Sequence, residues 1–138
     1  MNNLEATLSG WSPRLLSVLR IITGFLFIPH GMQKLFGWPV PAGKGTVELF
    51  SLMGLAGVLE VVGGALLLLG LFTRPVAFVM SGFMATAYFM SHAPQSFWPL
   101  LNRGDAAVLY CFICLYLAAA GGGPWSLDSL MRDGSGRR

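Results

Sequence analysis

Apolar residues run in four blocks along this chain, at about 15–36, 52–71, 76–90 and 106–120, with polar, Gly- and Pro-rich segments between them. A membrane-crossing helix needs roughly 20 mostly apolar residues. The first two blocks reach that length unaided. The other two reach it by recruiting flanks: Arg74, Pro75, Ser91 and His92 for the third, and Arg103 to Asp105 or the Gly121 run for the fourth. The pattern predicts an all-α fold. It is an integral membrane four-helix bundle running up-down-up-down in a single domain, 1–138, with spans at about 15–36, 52–71, 74–92 and 104–120. A polar, frayed tail is expected over about 126–138. A soluble bundle would need a polar face on every helix. Leu66 to Leu69, Val76 to Met80 and Leu115 to Ala120 are apolar all round.

The breaks carry their own signals. "GWPVPAGKGTVE" (37–48) is a Pro/Gly loop. "FTRP" (72–75) is a tight connection in which Thr73 is expected to cap the third helix, with Pro75 in its first turn. So short a link makes the second and third helices antiparallel neighbours. "SHAPQSFWPLLNRGD" (91–105) is a longer loop, "GGGP" (121–124) is a stop signal, and Trp125 suits the headgroup level. Arg14 and Arg20 before an apolar stretch resemble a secretory signal. No small-x-small cleavage site follows, so the expectation is a retained first helix.

Composition and charge sharpen the picture. The chain is 54% hydrophobic and 11% charged, against about 25% charged for ordinary soluble domains. Four spans put both termini on one side, with Arg14, Arg74, Arg132, Arg137 and Arg138, and Arg20 just inside. The other side holds Lys34, Lys44 and Arg103. The positive-inside rule then places both termini in the cytoplasm. The net +3 arises mostly from this asymmetry and gives no nucleic-acid signal. "GKGT" lacks the phosphate-loop spacing, and "RGD" (103–105) reads as coincidence.

Arg20, His30 and Lys34 inside the first block demand a reason. A cation at bilayer depth costs roughly 2.5–3.5 kcal/mol. At about 100° per residue, Arg20, Gly24, Phe27, Gly31 and Lys34 share a stripe with His30 beside it. Gly57, Glu60, Gly63, Gly64 and Leu67 share another on the second helix. Small residues mark close helix packing in membranes. The charged stripes are therefore packing stripes, and Arg20 and Glu60 face the interior. Helical rise puts Arg20 roughly 7 Å to the cytoplasmic side of the bilayer centre, Glu60 near the centre and His30 roughly as far beyond it. Arg20 is the expected partner of Glu60, and His30 its competitor. The structural reading is an Arg–Glu pair that sets helix register. The functional reading is an intramembrane ionisable site. Lys34 either snorkels to headgroups or joins an outer cluster with His30, His92, Trp98, Asn102, Arg103 and Asp105. Two histidines, His30 and His92, are too few to argue for a haem. Cys111 and Cys114 spell CxxC, but mid-helix in an apolar run without a charge to lower the thiol pKa, they read as packing cysteines.

These residues in this order resemble the DoxX family of small bacterial four-helix membrane proteins. The likeness rests on "LRIITGFLFIPHGMQKLFG" at the first helix and "GVLEVVGGALLLLGLFTRP" across the second and its turn. "NRGD" at the start of the fourth and "GPWSLD" after it complete the pattern. It covers about residues 16–128. Asp105 stands where relatives often carry Glu, and the CxxC is no part of the family pattern. The resemblance implies a multi-pass protein of the bacterial inner membrane. Some relatives are described as membrane subunits linked to quinone reduction, including a thiosulfate:quinone oxidoreductase, and others as parts of oxidative-stress or thiol-handling complexes.

The leading expectation is a membrane subunit of a quinone-linked redox complex. Glu60, Arg20 and His30 are its catalytic candidates, lining a cleft between the first two helices. Lys34, Asn102 and Asp105 are the quinone-binding candidates at the outer mouth. Arg or Lys would stabilise charge on a ring oxygen, and Glu and His would relay protons. With no metal or flavin site in the sequence, electrons would come from a soluble or membrane redox partner protein. The lipid bilayer is the other expected partner. Two other readings are a non-catalytic scaffold recruiting soluble redox enzymes and a small-solute or proton transporter. The latter lacks a broken helix pair or an internal repeat. Ser81, Gly82 and Ala85 offer a small-residue face for a homo-oligomer.

Overall fold

The structure is a computed structural model that describes residues 2–41, 43 and 45–135. Lys44, Arg137 and Arg138, counted above for charge sidedness, lie outside the described residues. Among the described residues the chain is all-helical: α1 (Asn3–Phe36), α2 (Leu52–Leu69), α3 (Thr73–Ala87), α4 (Pro99–Asn102), α5 (Asp105–Ala120) and α6 (Leu127–Ser135). A π-helical turn, Tyr88–His92, continues α3.

Each end has a local cause. The Glu5 carboxylate accepts from the Asn2 backbone N–H at 3.2 Å at the start of α1, and Gly37 closes the helix at a φ of 69°. α1 has 34 residues, about 51 Å at the helical rise, and begins well before its apolar block. The extra turns hold Leu4, Leu8 and Trp11, all exposed on the same flank as Leu15. Ser51 caps α2, its hydroxyl oxygen accepting from Gly54 N at 3.0 Å.

Two terminal expectations need correction. Thr73 is not the cap of α3. The preceding Phe72 has a left-handed φ of 51°, and the Asp128 carboxylate accepts from both Phe72 N and Thr73 N at 2.8 Å. A carboxylate carries full charge and two oxygens, so it satisfies two orphan amides where a hydroxyl satisfies one. The expected frayed tail is largely the amphipathic helix α6. It is anchored by that Asp128 contact and by Ser126, whose hydroxyl accepts from Ser129 N at 3.2 Å.

Packing follows the glycine stripes. A methyl group added at Gly24 would lie 2.5 Å from the Gly64 carbonyl oxygen, and one at Gly31 would lie 2.5 Å from that of Gly57. Contact positions fall on α2 as they rise on α1, so the two helices are antiparallel with backbones in close approach. Met80 of α3 fills the space left by Gly63. α3 packs along α5, where Ser81 donates to the Cys111 carbonyl at 2.8 Å. The core, Phe27, Leu67, Ala77, Met80, Met84, Cys114 and Leu117, draws on α1, α2, α3 and α5. Ser81 therefore packs within the chain, leaving Gly82 exposed on the face expected to serve a homo-oligomer. Both cysteines are free, Cys114 buried and Cys111 half-buried.

The exterior is as apolar as the core. Ile22, Phe25, Val62, Leu69, Phe78, Val79, Phe112 and Leu115 are all exposed. Water does not tolerate so large an apolar surface; hydrocarbon does. α1 and α2 are long and apolar enough to cross a membrane. α5, at 16 residues, is shorter.

Candidate functional site

Polar side chains collect at three places on this apolar frame. The first lies between α1 and α2. Glu60, 5% exposed, sits on the packing stripe of α2, and both of its carboxylate oxygens accept from Lys34 Nζ. The Lys34 side chain is 24% exposed. Helical side chains lean toward the N-terminus of their own helix. Lys34 thus reaches back about one turn to the level of Gly31, which faces Gly57 and Val61 on either side of Glu60. Its ammonium has three donors and gives the carboxylate two hydrogen bonds. The pair is thus part buried and part open to the surface.

The Arg20–Glu60 pair expected from depth does not form. Arg20 leans toward the N-terminus of α1 as Lys34 does, which carries it away from Glu60 and against the C-terminal turn of α2. Fully buried, it donates from Nη1 to Leu67 O and, at 2.6 Å, to Leu68 O. Nε donates to Gly122 O at 2.8 Å and Nη2 to Trp125 O. The carbonyls at a helix C-terminus lack intrahelical partners and carry partial negative charge, so a guanidinium there satisfies both needs. Ser17, one turn before Arg20, accepts from Trp125 N at 3.2 Å. This second cluster joins α1, the end of α2 and the segment between α5 and α6. Arg74 extends it, donating to Ala118 O at 3.2 Å and to Ala119 O. His30 joins neither cluster: it is exposed on α1.

The third cluster is the turn before α5. Asn102 is 1% exposed. Its Oδ1 accepts from Gly104 N at 2.8 Å, and its Nδ2 donates to Ser96 O at 2.8 Å and to the Tyr88 hydroxyl at 3.3 Å. His92 Nδ1 lies 2.9 Å from the Asn102 carbonyl oxygen. The amide of Asn102 is thus spent on holding the turn, in which Arg103 has a left-handed φ of 57°. Asp105 is exposed at the first position of α5, where its charge suits the helix N-terminus. Among the described residues neither Asn102 nor Asp105 shares a hydrogen bond with Lys34, whose partner is Glu60.

Sequence reasoning missed Asp128, which holds α6 to the start of α3 across 55 residues. Burial acts to raise its pKa, but the amide N–H of Thr73, the nearby Thr73 hydroxyl, the amide of Phe72 and the Arg132 charge together hold it below the ordinary value of 3.8. The signal was present as "SLD" directly after a helix stop, a capping pattern without an assigned client.

Comparison with known proteins follows the same outline. The DoxX family model matches residues 15–93. An uncharacterized protein of Haemophilus influenzae is 42% identical over 94% of this chain and 96% of its own length. An uncharacterized membrane protein of Mycobacterium tuberculosis is 29% identical over 80% of this chain and 77% of its own. A Bacillus subtilis protein named "Putative oxidoreductase CatD" is 27% identical over 85% and 87%. No solved structure matches the chain. With the family match spanning the α1–α2 contact and α3, and an apolar exterior to suit it, the chain belongs to the DoxX family of membrane proteins.

Proposed function

We propose that the protein is a membrane subunit of a quinone-linked redox complex in the bacterial inner membrane. Four spans cross in up-down order with both termini cytoplasmic. The observation that carries this reading is the Lys34–Glu60 pair, a carboxylate buried between two helices beneath a half-buried ammonium. Two Lys34 donors go to the carboxylate, which leaves the third for a ring carbonyl oxygen. Lys34 orients and polarises the oxygen; Glu60 holds or relays the accompanying proton. Electrons come from a partner protein. The name of the Bacillus subtilis relative supports redox chemistry within the family. Arg20, assembled on backbone carbonyls, is assigned to architecture instead of catalysis, as is Asn102; His30, exposed on α1, is assigned no part in the site.

Quinone-dependent turnover in native membranes tests the assignment. Lys34→Met and Glu60→Gln are expected to lower it at least about a hundredfold, the lower range for a lost transition-state hydrogen bond, at unchanged protein level. Unchanged turnover in both variants would remove the pair from catalysis. The scaffold reading is favoured by the Arg20 cluster, whose donors are spent on holding helices together. It predicts a stable co-purifying enzyme and no bound quinone.

A further inference from the structure

A cleft of about 500 Å³ opens at the end of the molecule where α3 begins, between that helix, the segment after α5, and α6. Arg74, Arg132, Asp128, Thr73 and Met131 line it. Two guanidinium groups against one carboxylate leave one net positive charge. Arg74 spends Nη1 on the carbonyls of Ala118 and Ala119. Among the described residues its Nε and Nη2 have no acceptor. Both lie beside Gly121, another wall of the cleft, within 3.5 Å of where a Cβ would stand. Arg132 is exposed, and its guanidinium has no hydrogen-bond acceptor among the described residues. Thr73 is fully buried, and its hydroxyl is a buried polar atom with no hydrogen-bond partner among the described residues. The Asp128 carboxylate is already held by the amides of Phe72 and Thr73.

The surroundings identify the occupant. On α6, Leu127, Leu130 and Met131 are exposed at helical spacing, opposite Asp128, Ser129, Arg132 and Asp133. A short helix of that pattern lies in the headgroup region, its apolar side against acyl chains. A cationic cleft beneath it meets phosphate at that depth, and a guanidinium fork fits two phosphate oxygens. We propose that this cleft binds the phosphodiester headgroup of an anionic phospholipid, clamped by Arg74 and Arg132, with Met131 and the apolar side of α6 against its chains. The net charge of the cleft matches a monoanion.

Native mass spectrometry of the full chain, released from micelles containing phosphatidylglycerol or phosphatidylcholine, tests it. Retention of phosphatidylglycerol over phosphatidylcholine is expected. Arg132→Gln is expected to weaken that preference about fivefold, the equivalent of one surface arginine near anionic lipid. Arg132 is exposed and forms no hydrogen bond to another element among the described residues, so this variant folds, whereas Arg74→Gln removes the donor that caps α5. Equal retention of the two lipids overturns the proposal, as does a preference unmoved by Arg132→Gln. Millimolar inorganic phosphate is expected to leave the lipid bound. Displacement by it would assign the cleft to a soluble phosphate and overturn the lipid assignment.

Discussion

Arg20 shows how one side chain can be at home where its charge is costly. Four carbonyls converge on it. Leu67 O also accepts from Gly70 N at 3.1 Å, but those of Leu68, Gly122 and Trp125 have no second donor among the described residues. A buried acceptor left unpaired costs about 1–3 kcal/mol. Arg20→Ala is therefore expected to lower the thermal unfolding midpoint in detergent sharply. Arg20→Lys, with three donors from a point instead of five from a fork, should fall between. Equal midpoints for all three proteins would mean the carbonyls find other partners. The same residue marks how far the sequence could be read. Its burial and that of Glu60 were visible in the helical stripes. Their partners were not, because depth measured on each helix alone ignores the direction in which helical side chains lean. That direction sends Arg20 down to Leu67 and Leu68 and brings Lys34 back to Glu60.

Among the helices, the contact between α1 and α2 depends on what is missing from its side chains. Gly31→Ala puts a methyl group 2.5 Å from a carbonyl oxygen, and overpacking of that kind costs about 1–3 kcal/mol. Gly10 is the control. Nothing lies within 4 Å of a Cβ there, so Gly10→Ala should be neutral or stabilise by about 0.5–1 kcal/mol. Thermal midpoints of the two variants separate packing from helix propensity. The four long elements were legible from the apolar blocks, their ends less so. α6 escaped because its sequence is polar on average. Its stability comes from Asp128 and Ser126, contacts that periodicity does not report.

For the molecule as a whole, the Asp128 carboxylate ties the last helix to the start of α3, alongside a backbone bond from Asp128 N to Gly70 O at 2.9 Å, and its behaviour with pH follows from its environment. The folded-state pKa of Asp128 is depressed. The contribution is then fully present above the ordinary value of 3.8 and is lost as pH falls through the lower, folded value. Docking of α6 should hold at pH 5 and loosen only in stronger acid. Asp128→Asn should loosen it at neutral pH. Hydrogen exchange at the Phe72 and Thr73 amides reads both. Protection that falls already between pH 6 and 5 in the wild type would point to another group.

Arg20 also sets an order of events during biosynthesis. It belongs to α1, yet two of its four acceptors, Gly122 and Trp125, lie 102 and 105 residues further along the chain and are made well after it. Until they arrive, the guanidinium has at most the end of α2 to satisfy it, and the newly inserted helix pair carries a partly unpaired charge. The cluster therefore closes only once the segment between α5 and α6 has been made. A nascent chain stopped short of Gly122 retains the glycine contacts of α1 and α2 but not the closure, which gives the cell's quality-control proteases a chemical difference between finished and unfinished copies.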